Sequence, residues 1–158
     1  MNSSNYESIT NERQTRKTNQ KNLEYIMSDL QLHIDLDAEP IFVYALWIDP
    51  PQQGMITEAF AKINPRIDGS YELWDGVVRG KFILLDAPKK IIQTWRTSEF
   101  SPQQPSTKLT LDFKPHRLGT RLLITHENIP NAFLSQFEFA WKEFYFPRLK
   151  LHFQKKIH

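Results

Sequence analysis

The sequence predicts an α+β domain, in which a curved antiparallel sheet of about six or seven strands wraps around one long C-terminal helix. Three observations support this prediction. Apolar and polar residues alternate along several short segments, as they do in half-buried strands. Two such segments flank Asp75-Gly76, a dipeptide typical of tight hairpins. Near the C-terminus the apolar residues recur instead at helical spacings of three and four.

The composition divides the chain into a tail and a domain. Residues 1–26 are rich in Asn, Gln, Ser and Thr, and too little apolar surface is present to offset the entropy of ordering them. We therefore expect a disordered N-terminal tail over residues 1–26 and one domain over residues 27–158. Aromatic residues make up 13% of the chain, enough to fill a large core or to line a cavity.

Several classes of protein are excluded or disfavoured by simple counts. The chain has no cysteine, which excludes disulfides, thiolate metal sites and thiol nucleophiles. The net charge of +2 is too small for a surface that binds nucleic acid. We find neither a signal-peptide core nor the ~20 consecutive apolar residues that span a bilayer. We expect a cytoplasmic protein that neither binds nucleic acid nor inserts into membranes.

The domain is predicted to begin with a strand followed by short helices. Asp37 and Glu39 place negative charge where a helix would start, and Pro40 suits its first turn. We interpret these carboxylates as compensation of the helix dipole rather than as a metal site. A short helix is predicted over residues 41–47 and a second strand over residues 56–63. The first strand is indicated by four alternating apolar residues, Leu30, Leu32, Ile34 and Leu36.

The Asp75-Gly76 turn fixes the register of the central hairpin, which joins residues 71–74 to residues 77–85. Leu73 then opposes Val78, and a solvent-facing Glu72–Arg79 pair contributes about 0.2–1 kcal/mol. On the opposite face the ring of Tyr71 would cover the bare backbone of Gly80. The residues predicted to share this core face are Tyr71, Leu73, Val78, Phe82 and Leu84.

Three more strands and the long helix complete the prediction. The strands lie at residues 91–97, whose inward face the pattern leaves ambiguous, and at residues 107–114 and 121–127. Asn131 is the expected helix cap, and Pro147 is expected to kink the helix. The aromatic face of this helix consists of Phe133, Phe137, Trp141, Phe144 and Tyr145.

These segments resemble the C-terminal domain of activators of the heat-shock protein 90 ATPase. The hairpin at residues 71–82 and the Trp-Arg pair at residues 95–96 carry most of the resemblance. Residues 119–122, the Ile-Pro step at 129–130 and the aromatic closing helix extend it over residues 30–153. The resemblance implies the SRPBCC superfamily and its helix-grip, or START-like, fold. This chain departs from the family in two ways. Residues 1–26 are too short to be the separate N-terminal domain of the eukaryotic activator, and Pro147 interrupts a last helix that family members usually keep continuous.

Candidate binding residues lie on the predicted inner face, and two interpretations of them stay open. The side chains either fill the core or line a ligand cavity, as helix-grip domains often do. Arg96 would anchor an anion or form a salt bridge at the rim, whereas His126 is favoured as a hydrogen-bonded structural residue at the rim over a general base. The candidates are Tyr71, Leu73, Phe82, Trp95, Arg96, Leu109, Leu111, Phe113, Leu122, Ile124, His126, Phe137, Trp141 and Phe144.

No catalytic motif is found, and the histidines lack ligand-like spacing. We therefore expect a binding protein with no catalytic residue, metal or cofactor. Two partner classes stay open. The resemblance implies a 90-kDa heat-shock chaperone and a role like that of a co-chaperone, and a cavity would instead suit a carrier or sensor of an apolar small molecule or lipid. An enzyme such as a cyclase or hydrolase is less favoured.

Overall fold

The computed structural model describes residues 26–154, which form seven strands and three helical regions. The strands run in the order β1-β7-β6-β5-β4-β3-β2, and all neighbours are antiparallel. The α+β helix-grip prediction is confirmed. The predicted disorder of the tail concerns residues outside the described range, except for Ile26. The strands are β1 (Met27–Leu36), β2 (Lys62–Ile63), β3 (Ser70–Leu73), β4 (Val78–Asp86), β5 (Lys90–Thr97), β6 (Thr107–His116) and β7 (Gly119–Pro130).

The helices lie in two places along the chain. Helices α1 (Pro40–Ile48) and α2 (Pro50–Thr57) follow β1, as predicted for short helices at this point. The C-terminal helix α3 spans residues 131–152 and consists of an α-helical start, a π-helical turn at Ala140–Tyr145 and an α-helical end. No helix among residues 26–154 is both long and apolar enough to cross a membrane.

The core lies between α3 and one face of the sheet. Every second residue is buried along β5, along β6 as far as Phe113 and along β7 as far as His126. The ambiguous inward face of β5 is therefore that of Ile91, Gln93, Trp95 and Thr97. From α3 the buried residues recur at intervals of four: Phe137, Trp141, Tyr145 and Leu149. This spacing puts one stripe of large side chains against the sheet.

The central hairpin has the predicted register. Leu73 pairs with Val78 and Glu72 with Arg79, whose Nε lies 3.6 Å from a carboxylate oxygen of Glu72. Tyr71 lies opposite Gly80 and donates its hydroxyl proton to the Thr94 carbonyl oxygen. A Cβ at position 80 would lie 2.7 Å from the Tyr71 ring and would overlap the Thr94 oxygen, so only glycine fits there.

The predicted strand over residues 56–63 is wrong for most of its length. Helix α2 occupies Pro50–Thr57, and only Lys62–Ile63 form a strand. Asp49 caps α2 by accepting a hydrogen bond of 3.0 Å from the Gln52 amide, and proline suits the first turn because its missing N–H is not needed there. The Pro-Pro pair that ends α1 therefore also starts α2.

The prediction that Leu84 lies in the core is also wrong, because the inward position is displaced by one residue to Leu85. The pairing of β4 with β5 shifts between Phe82 and Leu84, so an extra residue interrupts the alternation. After this bulge Leu85, rather than Leu84, packs against the core. A single inserted residue reverses which side chains face inward.

The start and middle of α3 differ from their predicted details. Asn131 is the first helical residue rather than the cap, and its side-chain oxygen accepts a hydrogen bond from the Ser28 hydroxyl. Near Pro147 the helix widens into the π-helical turn, where the Phe146 amide donates to the Trp141 carbonyl five residues earlier. The irregularity expected at Pro147 thus takes the form of a wide turn, from which the helix continues to His152.

Candidate binding cleft

A cleft of about 270 Å³ lies between the tip of the β3–β4 hairpin, the end of β5 and the first half of α3. Two larger depressions elsewhere, of about 460 and 520 Å³, are lined mostly by exposed residues and are features of the open surface. The cleft is lined by Ala59, Trp74, Asp75, Val77, Val78, Trp95, Thr97, Glu99, His126, Gln136, Phe137, Ala140, Trp141 and Tyr145.

The inner wall of the cleft is a cluster of aromatic rings. Trp95 on β5 faces α3, where its ring centroid lies 5.9 Å from that of Trp141 and 6.4 Å from that of Tyr145. Trp141 and Tyr145 are themselves 4.8 Å apart, because residues four apart on a helix share a face. The Trp47 ring of α1 stacks on that of Trp141, with the ring centroids 6.0 Å apart, and supports the wall.

His126 at the base of the cleft belongs to a fully buried chain of hydrogen bonds. The indole N–H of Trp141 donates to Nδ1 at 3.2 Å, and Nε2 lies 2.7 Å from the Thr107 hydroxyl. Indole nitrogen can only donate, so the neutral imidazole carries its proton on Nε2 and donates it to Thr107. The Thr107 hydroxyl then donates to the Trp95 carbonyl at 2.7 Å. Every polar group of this chain is therefore paired.

Burial also keeps His126 neutral. Its side chain is completely buried, and the loss of hydration lowers its pKa from 6.5 to about 3. Protonation would place a second N–H against the Trp141 donor and break that hydrogen bond. His126 is thus a hydrogen-bonded structural residue, as the sequence analysis favours. It lies in the core, however, and not at the rim as predicted. The partners of His126 are not evident from the sequence, because Thr107 and Trp141 belong to other elements.

The mouth of the cleft is held by the hairpin tip. Trp74 has a left-handed backbone conformation, with φ of 58°, that a bulky residue rarely adopts. Its indole N–H donates to the Tyr145 hydroxyl at 2.7 Å, and its ring lies 4.4 Å from that of Phe144. Burial raises the pKa of the Tyr145 hydroxyl above its ordinary value, so this group stays neutral.

The neighbouring loop fixes the tip from the outside. The Asp75 carboxylate accepts a hydrogen bond of 2.7 Å from the Phe60 amide, and the Asp75 amide donates to the Phe60 carbonyl at 3.0 Å. These two bonds tie the hairpin tip to the loop between α2 and β2. Phe60 and Val77 nevertheless expose 63% and 45% of their surface at this edge.

Trp95 is the one tryptophan whose indole N–H has no hydrogen-bond partner among residues 26–154. Trp47 donates to Gln93, Trp74 to Tyr145 and Trp141 to His126. Trp95 is 6% exposed, and its ring forms part of the cleft wall. Among the described residues the fully buried side-chain atoms without a partner are Gln53 Oε1 and Gln104 Nε2. The Trp95 nitrogen is not one of them, so its N–H can donate to water or to a bound molecule.

The structure brings four of the predicted site residues to the cleft: Trp95, His126, Phe137 and Trp141. Arg96 lies on the outer face of β5, where it donates to the carbonyl oxygens of Ser101 and Gln104 and holds the following loop. Phe144 packs beside Trp74 at the mouth without lining the cleft. The others fill the core away from it: Tyr71, Leu73, Phe82, Leu109, Leu111, Phe113, Leu122 and Ile124.

Sequence reasoning missed the residues of the mouth. The sequence pattern places Trp74 in the hairpin and Tyr145 on the helix, but it marks neither as a site residue. The signal available for Trp74 was a large aromatic directly before a tight turn. Among residues 26–154 no group of three or more His, Asp or Glu side chains is placed to hold a metal ion.

Comparison with known proteins identifies relatives of this chain. The model of the family described as "Activator of Hsp90 ATPase homolog 1-like protein" matches residues 37–154. An uncharacterised Schizosaccharomyces pombe protein is 30% identical over 103 residues, which are 65% of this chain and 30% of that protein. The mouse protein "Activator of 90 kDa heat shock protein ATPase homolog 2" is 26% identical over 82 residues, or 52% of this chain and 24% of its own length. The chain thus spans less than a third of either relative.

Solved structures share the fold at lower sequence identity. An HSP90 activator from Plasmodium falciparum superposes with a TM-score of 0.72 and 18% identity, over 78% of this chain and 94% of that one. CalU16 from Micromonospora echinospora superposes with a TM-score of 0.68 and 18% identity, over 80% of this chain and 76% of that one. At this identity the likeness concerns the fold alone.

Proposed function

Because the chain belongs to the family of activator of Hsp90 ATPase homolog 1-like proteins, we propose that it is a non-catalytic, cytoplasmic binding domain whose partner is a 90-kDa heat-shock chaperone. The observation that carries the proposal is the family match over residues 37–154. The mouse relative, whose name describes activation of the same chaperone's ATPase, supports it. The expected role is that of a co-chaperone.

The state of the cleft supports the non-catalytic part of the proposal. A general base needs an accessible lone pair close to a substrate proton. Both ring nitrogens of His126 already form hydrogen bonds inside the core, and burial keeps the imidazole neutral. The Tyr145 hydroxyl of the aromatic wall accepts a hydrogen bond from Trp74, and burial keeps it protonated.

The edge beside the cleft is the surface we propose for the chaperone. Phe60 and Val77 present apolar side chains to solvent, and the two hydrogen bonds between Phe60 and Asp75 tie the loop that carries Phe60 to the hairpin tip. Apolar side chains on a rigid backbone lose little entropy on binding, which favours a contact surface. We name Phe60, Asp75 and Val77 the tip patch.

The test is a titration of the ¹⁵N-labelled protein with a purified 90-kDa heat-shock chaperone. Amide shifts or line broadening should be confined to one region that includes the tip patch. Phe60→Ala should weaken binding by about tenfold, as expected for a central apolar contact worth ~1–2 kcal/mol. Leu118→Ala, which shortens an exposed side chain on the β6–β7 hairpin, is the matched control and should leave the affinity unchanged.

Three results would count against the proposal. An absence of shifts at near-millimolar chaperone would refute the partner. A contiguous region elsewhere on the surface would refute the tip patch and leave the partner standing. Equal affinities of the wild type and Phe60→Ala would likewise refute the tip patch.

A second candidate function is favoured by the cleft itself, which would hold a small molecule with an apolar body. Its volume of about 270 Å³ lies just below the ~300 Å³ at which drug-sized pockets begin, so the ligand would be small. Aromatic walls with few polar groups are typical of such sites. The indole N–H of Trp95, which has no partner among residues 26–154, offers one directional hydrogen bond. Ligand binding should shift the Trp95 indole resonance, and a lack of shift with small apolar alcohols at ~10 mM would contradict this function.

A further inference from the structure

The charged side chains that line the cleft are both carboxylates, Asp75 and Glu99. Their hydrogen-bond donors are neutral: the Phe60 amide for Asp75 and the Gln136 side-chain amide, at 3.2 Å, for Glu99. Such donors orient a carboxylate without cancelling its charge. A ligand at the mouth therefore meets two negative charges.

Two arginines, Arg79 and Arg96, line an adjacent depression, and both are engaged with other groups. Arg79 donates to the Gly76 carbonyl at 3.0 Å and lies 3.6 Å from the Glu72 carboxylate. Arg96 donates to two carbonyl oxygens of the loop that follows β5. Neither lines the cleft, so an anionic ligand would find no positive partner among the lining residues.

The aromatic walls add to the same preference. The faces of indole and phenol rings attract cations through their quadrupole, and tryptophan does so most strongly. Trp74, Trp95, Trp141 and Tyr145 all border the cleft. The N–H of Trp95, which has no partner among residues 26–154, can in addition donate to an acceptor atom on the ligand.

We propose that the cleft binds a small organic amine in its ammonium form, with an apolar body and one acceptor oxygen. The ammonium group would lie at the mouth beside Asp75 and Glu99, the apolar body against the aromatic wall, and the oxygen at the Trp95 N–H. This inference rests on the second candidate function and specifies the charge of its ligand.

Three probes of nearly equal shape but different charge test the proposal: 4-methoxyphenethylamine, the corresponding alcohol and 4-methoxyphenylacetate. Each carries an ether oxygen that can accept from Trp95. Affinities are measured near neutral pH from the Trp95 indole resonance in ¹H–¹⁵N spectra. We expect the amine to bind about fivefold more tightly than the alcohol, and the carboxylate to bind more weakly than both, since each cation–ring or exposed ion contact is modest.

The double variant Asp75→Asn/Glu99→Gln removes both charges and retains side-chain oxygens to accept the two hydrogen bonds. It should reduce the preference for the amine and leave the affinity for the alcohol nearly unchanged. Glu143→Gln, on the exposed side of α3, is the matched control and should preserve the preference.

The outcomes separate the two levels of the hypothesis. Equal binding of amine and alcohol, or tightest binding of the carboxylate, would refute the ammonium ligand while leaving small-molecule binding in place. An unchanged preference in the double variant would refute the role of the two carboxylates. No shift of the Trp95 indole by any probe at ~10 mM would refute both.

Discussion

Lowering the pH from about 7.5 to 5 is expected to destabilise the protein through His126. In the unfolded chain this side chain takes up a proton near its ordinary pKa of 6.5, whereas in the folded protein burial holds the pKa at about 3. The unfolded state therefore binds more protons between these two values, and stability falls as the pH falls. The contribution that His126 makes to the free energy of unfolding is fully present above pH 6.5 and is lost progressively toward pH 3.

The size of the effect follows from the same two pKa values. At pH 5 the solution is about 1.5 pH units below the pKa of His126 in the unfolded chain. Protonation of this side chain therefore stabilises the unfolded state by roughly 2 kcal/mol. For a chain of this length that is about 4–8 °C in Tm. Asp35 does not contribute in this window, because the hydrogen bond from Arg121 lowers its pKa from 3.8 to about 2 and its loss of stability occurs at lower pH.

Chemical denaturation at both pH values measures the difference directly. His126→Gln removes the titrating group but retains an acceptor and a donor, so its loss of stability on acidification should be smaller by about 2 kcal/mol. His33→Gln, on the exposed side of β1, is the matched control and should behave like the wild type. Equal pH dependence of the wild type and His126→Gln would refute the reasoning. Imidazole ¹⁵N shifts showing a protonated ring in the folded protein at pH 5 would refute it too.

Three further predictions concern single side chains and are measured by denaturation at neutral pH. Gly80→Ala should cost about 2 kcal/mol or more, because a Cβ there meets the Tyr71 ring at 2.7 Å; a change below ~0.5 kcal/mol would contradict the close approach. Trp141→Phe should cost about 2–4 kcal/mol, since it leaves His126 Nδ1 without its donor and removes part of a buried ring; retention of wild-type stability would contradict the buried relay. Asp35→Asn should cost less than about 1 kcal/mol, since its pair with Arg121 is largely exposed; a larger loss would show that the pair is better shielded than its exposure indicates.

The hairpin shows how much of the fold local sequence can determine. Asp75-Gly76 adopts the positive φ angles that its residue types favour, and the period of two then fixes which side chains face the core up to Phe82. Beyond Phe82 the prediction fails by one residue, because no residue of the β4 sequence marks the bulge. Helix α2 is not predicted from the sequence for another reason. The Pro-Pro pair at residues 50–51 fits the end of one helix as well as the start of the next.

The partners of His126 could not be predicted because they come from distant parts of the chain. Thr107 lies 19 residues before it and Trp141 lies 15 residues after it. Each residue alone is ordinary: a threonine at the start of a strand and a tryptophan on the apolar face of a helix. Only the packing of α3 across β6 and β7 brings the three side chains together.

Whether the space between α3 and the sheet is filled or open depends on the size of the side chains that face the helix. Toward one end of the sheet, Leu109, Leu111 and Phe113 of β6 fill the space, and the Tyr44 ring packs on Phe113 at 5.3 Å. Toward the hairpin tip the facing positions are small. Val78 pairs with Thr97 on adjacent strands, and both border the cleft with Ala59 and Ala140. The aromatic stripe of α3 passes over both ends, so it packs in a filled core at one end and forms a cleft wall at the other. The cleft therefore arises from small residues on three other segments, together with Ala140 of α3.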